Sequence, residues 1–159
     1  MKKALIGFIF LLTLFNGNNN FKAQLVVTNT LNASQLASLI SGPGVQILNP
    51  VVNAAGPNSY GKYIATSSNL NITEGLLLTT GTISNAIGPN NVGNKTTFFG
   101  NQYTPNTYTL LNSYTGKTTW EYTEFEFDII PQGDTIKFDF VFASEEYEEW
   151  VGSQYNDVF

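Results

Sequence analysis

The residues whose types and spacing lend themselves to chemistry crowd into the last fifteen positions of the chain. Glu145, Glu146, Glu148, Glu149, Asn156 and Asp157 place several oxygen donors within one short segment. Ca²⁺ takes six to eight such oxygens from carboxylates, amides and backbone carbonyls. A structural Ca²⁺ held by Glu145, Glu146, Asn156 and Asp157 would neutralise a self-repelling cluster and fix the segment, although the spacing is not that of an EF-hand. The same residues also read as a solvated acidic loop in which Asn156 and Asp157 cap a turn through the backbone. Paired carboxylates raise glycoside hydrolysis as well, where a retaining enzyme holds two carboxyls about 5 Å apart. Glu145 and Glu146 are adjacent and would point to opposite faces of a strand. Glu146 and Glu148 share a face, as exposed glutamates on β-segments commonly do. No catalytic residue is therefore expected. Tyr147, Trp150 and Tyr155 interleave with the acids. Aromatics beside carboxylates suit sugar stacking, but packing into the core or between loop and sheet is the preferred reading.

What is missing narrows the chemistry further. The 159 residues contain no cysteine and no histidine. That removes disulfides, Cys/His zinc sites, cysteine nucleophiles and any Ser-His-Asp triad. Charge is lopsided. From Leu25 to Trp120 three lysines stand against one acid, a net of +2, whereas from Glu121 to Phe159 eleven acids stand against Lys137, a net of −10. An acidic chain without arginine is a poor candidate for nucleic acid.

Positioning these groups falls to the elements upstream. Met1-Lys2-Lys3 is a basic start, and Ala4 to Phe15 is an almost unbroken apolar run of 12 residues. A polar stretch and then Phe21-Lys22-Ala23-Gln24 follow, the three-part plan of a signal peptide over 1–24. The run is too short to span a bilayer, which needs roughly 20 residues as a helix, so no membrane span is expected in the mature chain. Charged residues make up 12% of the chain, about half the globular average. Thr, Asn, Ser and Gly supply the polarity, and aromatics are plentiful enough for a core.

Leu25-Val26-Val27 reads as a short strand. Asn32 to Ile40 is the one convincing helix, with Asn32 as cap and Gln35 in the capping-box position. Its stripe of Leu36, Leu39 and Ile40 should dock on a sheet, and Ser41-Gly42-Pro43-Gly44 stops it. Val45, Ile47 and Val51-Val52 suggest a strand interrupted at Pro50, and Tyr60 to Thr66 a further strand. Gly75 to Gly81 is an apolar run with the mark of a strand buried on both faces. Gly88 to Pro105 reads as a long polar loop. Phe125, Phe127 and Ile129 alternate with acids, as do Ile136, Phe138, Phe140 and Phe142 with Thr135, Lys137, Asp139 and Val141. With Pro131-Gln132-Gly133-Asp134 between them, these two runs predict an antiparallel hairpin. One face would be aromatic and covered by a second layer. Lys137 on the other face would pair across the strands with Glu126 or Asp128.

The run Phe142-Ala143-Ser144-Glu145-Glu146-Tyr147, with Asn156-Asp157-Val158-Phe159, is where the chain resembles a known family. Together with Gly133-Asp134-Thr135-Ile136, Phe125-Glu126-Phe127-Asp128, the helix at Ser34–Ile40, Gly44-Val45 and Gly75 to Gly81, it looks like the choice-of-anchor L domain over roughly 28–159. The resemblance implies an exported, non-enzymatic module of bacterial surface or secreted proteins. Two departures stand out. Asn101 to Lys117 lacks the acidic stretch usual before the Phe125 strand, and the family pattern continues past Asn156-Asp157-Val158-Phe159.

The expectation is thus an all-β, jelly-roll-like sandwich over 25–159 with one short N-terminal helix, cut short at its C-terminal end. Its expected role is a secreted or cell-surface module for adhesion or recognition of an extracellular glycan or surface protein. The alternatives are a carbohydrate-binding module accessory to polysaccharide utilisation and a purely structural spacer.

Overall fold

The computed structural model describes residues 24–54, 56–66, 68, 70–88, 108–144 and 150–153. Five strands account for most of its regular structure: β1 Gln24–Thr28, β2 Val45–Ala54, β3 Tyr60–Thr66, β4 Glu74–Leu78 and β5 Thr123–Pro131. They form two antiparallel sheets, one ordered β1-β3-β4 and the other pairing β2 with β5. The fold is all-β and sandwich-like.

Helix α1 (Ala33–Ile40) forms as its signals require. The Asn32 carboxamide oxygen accepts from the Gln35 N–H at 3.0 Å, and the Gln35 side-chain oxygen accepts from the Asn32 N–H at 2.9 Å. Leu36 and Ala37 are buried, with Leu39 and Ile40 half-buried. The helix touches β2 from one sheet and β3 and β4 from the other, so its apolar stripe spans both. Leu36, Ala37, Tyr63 and Ile83 form the buried apolar centre among the described residues. Ile83 opens a 3-10 helix, Ile83–Ile87, which lies against β1.

Gly61 marks the tightest approach in this centre. A methyl group built there would lie 2.1 Å from the Thr28 carbonyl oxygen and 2.9 Å from the Ile83 Cδ1. Only a residue without Cβ lets β3 pass β1 at this distance. Nearby, Ser59 is fully buried. Its hydroxyl donates to the Gly56 carbonyl at 2.8 Å, and its own carbonyl accepts from the Thr79 N–H at 2.8 Å. The turn between β2 and β3 is thereby tied to the end of β4.

Four expectations need correction. Pro50 does not interrupt β2; it sits in a bulge where Asn49 and Pro50 together oppose Phe127, between the Leu48↔Asp128 and Val51↔Glu126 pairs. Asn49 adopts φ 50°, a left-handed conformation that asparagine tolerates better than most residues. A proline N cannot join a ladder, and a bulge removes the need.

Strand β4 is not buried on both faces. It ends the three-strand order, and Glu74 and Leu78 are exposed while Gly75 to Leu77 are half-buried. A central strand needs a neighbour on both sides; here β3 alone flanks β4, and Glu74 reaches Lys62 at 2.6 Å.

A second helix, α2 (Thr109–Thr115), was not expected. It lacks a side-chain N-cap bond and buries no residue, so neither capping nor a hydrophobic stripe announces it. Gly116, left-handed at φ 66°, ends it.

The hairpin of β5 with 135–142 also fails to form among the described residues. Strand β5 pairs with β2, and the Gln132 N–H donates to the Gly44 carbonyl at 2.8 Å. The expected turn is thus committed to extending the β2–β5 ladder, and residues 135–144 carry no assigned strand.

Candidate functional site

The polar face of the β2–β5 sheet is built by alternation. Phe125, Phe127 and Ile129 turn to the half-buried side, which leaves Glu124, Glu126 and Asp128 together on the other. Phe125 and Phe127 sit with ring centroids 5.2 Å apart, a tilted contact that anchors the strand's inner face. Across the strands, two asparagines of β2 meet two of the acids. Asn49 donates from Nδ2 to Asp128 Oδ2 at 2.7 Å, and Asn53 donates from Nδ2 to Glu124 Oε2 at 3.0 Å. Glu126 stands between them opposite exposed Val51.

Helix α2 is clasped to this face through its N-cap residue, Tyr108. The Tyr108 hydroxyl donates to Glu124 Oε1, so both oxygens of Glu124 are engaged. The Tyr108 ring stacks on Tyr122 at 4.8 Å. The hydrogen bond to Glu124, aided by desolvation and nearby negative charge, pushes the Tyr108 phenol up to about 12. Asn112 Oδ1 accepts from the N–H and the hydroxyl of Thr119 at 2.6 and 2.9 Å, drawing the segment after α2 back alongside it. Glu121 follows at φ 51°, and burial raises its carboxyl above the ordinary range.

The outer surface of this unit is apolar and aromatic. Leu110 and Tyr114, four residues apart and so on one helix face, are both exposed, Tyr114 by 79%. Trp120 is 52% exposed. The unit thus carries exposed apolar and aromatic side chains in and just after a helix tied to β5 through Tyr108 and Glu124. Among the described residues no three acids are placed to share a metal ion.

Glu145, Glu146, Tyr147, Tyr155, Asn156 and Asp157 lie outside the described residues. Trp150 is described: it is 40% exposed and heads a turn closed by the Ser153 N–H donating to its carbonyl at 3.0 Å. Lys137 does not reach Glu126 or Asp128. It pairs with Asp139 at 3.2 Å on its own segment, because the hairpin that would have carried it across is not formed. Sequence reasoning missed Asn49, Asn53 and Tyr108. The two asparagines flank Val51-Val52 in a strand that also carries Pro50, and an Asn-Pro pair within an apolar strand is a bulge signal. Tyr108 gave no such sign.

A β-rich, sandwich-like module with an open amide–carboxylate face is therefore what the structure defines. Residues 17–159 match the model of the choice-of-anchor L domain, and the chain belongs to that family. Membership makes it a surface-associated module of an exported protein. No curated protein and no solved structure matches the chain. Among the described residues no helix is long and apolar enough to cross a membrane.

Proposed function

We propose that the chain is a non-catalytic recognition or adhesion module of an exported protein, acting on an extracellular glycan or surface protein. The observation that carries this reading is the exposure of Tyr114 and Trp120, in and just after the helix whose N-cap residue Tyr108 is hydrogen-bonded to Glu124 of β5. Large aromatics concentrate at recognition surfaces because they offer much contact area for few rotatable bonds. A sugar is favoured among the ligands, since a ring can stack on exposed Trp120 while its hydroxyls meet polar groups such as the adjoining Glu121. A glycan array and a cell-attachment assay, run with Tyr114→Ala and Trp120→Ala, test the proposal. Binding that both substitutions weaken supports it. No binding in either assay leaves the spacer role instead.

Within this reading, a structural Ca²⁺ at Glu145, Glu146, Asn156 and Asp157 would offset the repulsion of the acidic end. Calorimetric titration with Ca²⁺ checks it, using Glu145→Gln and Asp157→Asn as controls. The absence of both heat and a rise in Tm removes the metal.

A further inference from the structure

Residues 134–142 present a self-complementary pattern. Ile136, Phe138, Phe140 and Phe142 are all exposed, Phe138 by 61% and Phe140 by 65%, a concentration of aromatic surface unlike the scattered apolar residues of an ordinary exterior. Two of the segment's three charges have opposite sign and flank Phe138 symmetrically, Lys137 on one side and Asp139 on the other, while Asp134 stands at its end. We propose that two copies of the chain associate through this segment as antiparallel strands centred on Phe138.

The register follows from the sequence. A two-fold axis through Phe138 sets Lys137 of one copy opposite Asp139 of the other, twice over. It also sets Ile136 opposite Phe140 and Phe138 opposite itself. Opposite charges and aromatic–β-branched pairs directly across an antiparallel ladder both favour association. A parallel, in-register pairing would instead set Lys137 against Lys137 and Asp139 against Asp139, which is repulsive. The contact is isologous, so it closes at two copies rather than growing into a fibre. The Lys137–Asp139 bridge within one chain costs little to exchange for two between chains, because its side chains are 81% and 68% exposed and solvent already screens them.

The test is analytical ultracentrifugation of the full chain, of Lys137→Asp, of Asp139→Lys and of their equimolar mixture. Both positions are exposed, and circular dichroism confirms that each variant folds. The wild-type chain is expected to dimerise, and each variant alone to dimerise roughly tenfold more weakly, as like charges face one another. Mixing should restore association, because an all-acidic copy then meets an all-basic one at these positions. A monomeric wild-type chain throughout the concentration range overturns the proposal. So does association of equal strength in all four samples, which would place the contact elsewhere on the chain.

Discussion

The Thr123 hydroxyl donates to the Thr79 carbonyl at 2.7 Å, joining the first residue of β5 to the residue just past β4. The bond crosses between the two sheets, since β4 belongs to one and β5 to the other. Thr79 is itself held, its N–H and hydroxyl reaching the Ser59 carbonyl at 2.8 and 3.1 Å. Thr123→Val keeps the β-branched shape and removes the donor. It should lower unfolding free energy by about 1 kcal/mol in urea denaturation, with Thr123→Ser retaining most of it.

Gly61 sets a steric limit. A Cβ 2.1 Å from the Thr28 oxygen cannot be relieved by a rotamer, because the obstacle is backbone. Gly61→Ala should cost about 3 kcal/mol or prevent folding. Gly42→Ala is the control, since a Cβ there meets nothing within 4 Å, and its Tm should stay close to that of the parent chain.

Tyr108 should give the fold an alkaline edge. Its phenol is raised from 10.0 to about 12 in the folded chain. A raised folded value means the stabilisation is fully present below pH 10 and is lost as pH climbs through 12. Tm measured against pH should fall across that window, and phenolate absorbance should show a late titration that belongs to Tyr108. Tyr108→Phe should remove the late titration and flatten that part of the profile.

The α1 cap should be separable from the helix it begins. Asn32→Ala removes the acceptor for the Gln35 N–H and should cost about 1 kcal/mol, measured by thermal or urea unfolding. Asn32→Ser, which restores an acceptor, should recover most of the loss.

Local chemistry was legible where one residue type decides the outcome. Asn32 and Gln35 announced α1 and its box, and Tyr60–Thr66 was bounded correctly from its β-formers and the turn before it. Pairing was not legible. The alternation of Phe125, Phe127 and Ile129 fixes a face, but it does not say whether the neighbour is the run eight residues on or β2, some eighty residues back. The nearer run won on sequence because loop closure favours it; β2 won in the fold, with a bulge and two asparagines to receive the acids. Nor was the clasp legible, because Tyr108 and Glu124 are brought together only by the return of the chain after α2.

The bulge in β2 has an effect on how the strand is written. Before it, the odd-numbered Val45 and Ile47 lie on the half-buried side; beyond it, the even-numbered Val52 and Ala54 do. Asn49 and Pro50 thus act as a phase shifter, letting one ten-residue strand follow two alternations in opposite step against the unbroken alternation of β5. Removing one of the two bulge residues would merge these halves into a single alternation that faces β5 one to one, with Ile47 still opposite Ile129 and Val52 still opposite Phe125. A deletion outside the bulge, at Gln46 or Asn53, is a frame error in three dimensions, because it moves Val45 or Ala54 to the opposite face although the reading frame of the gene would be intact.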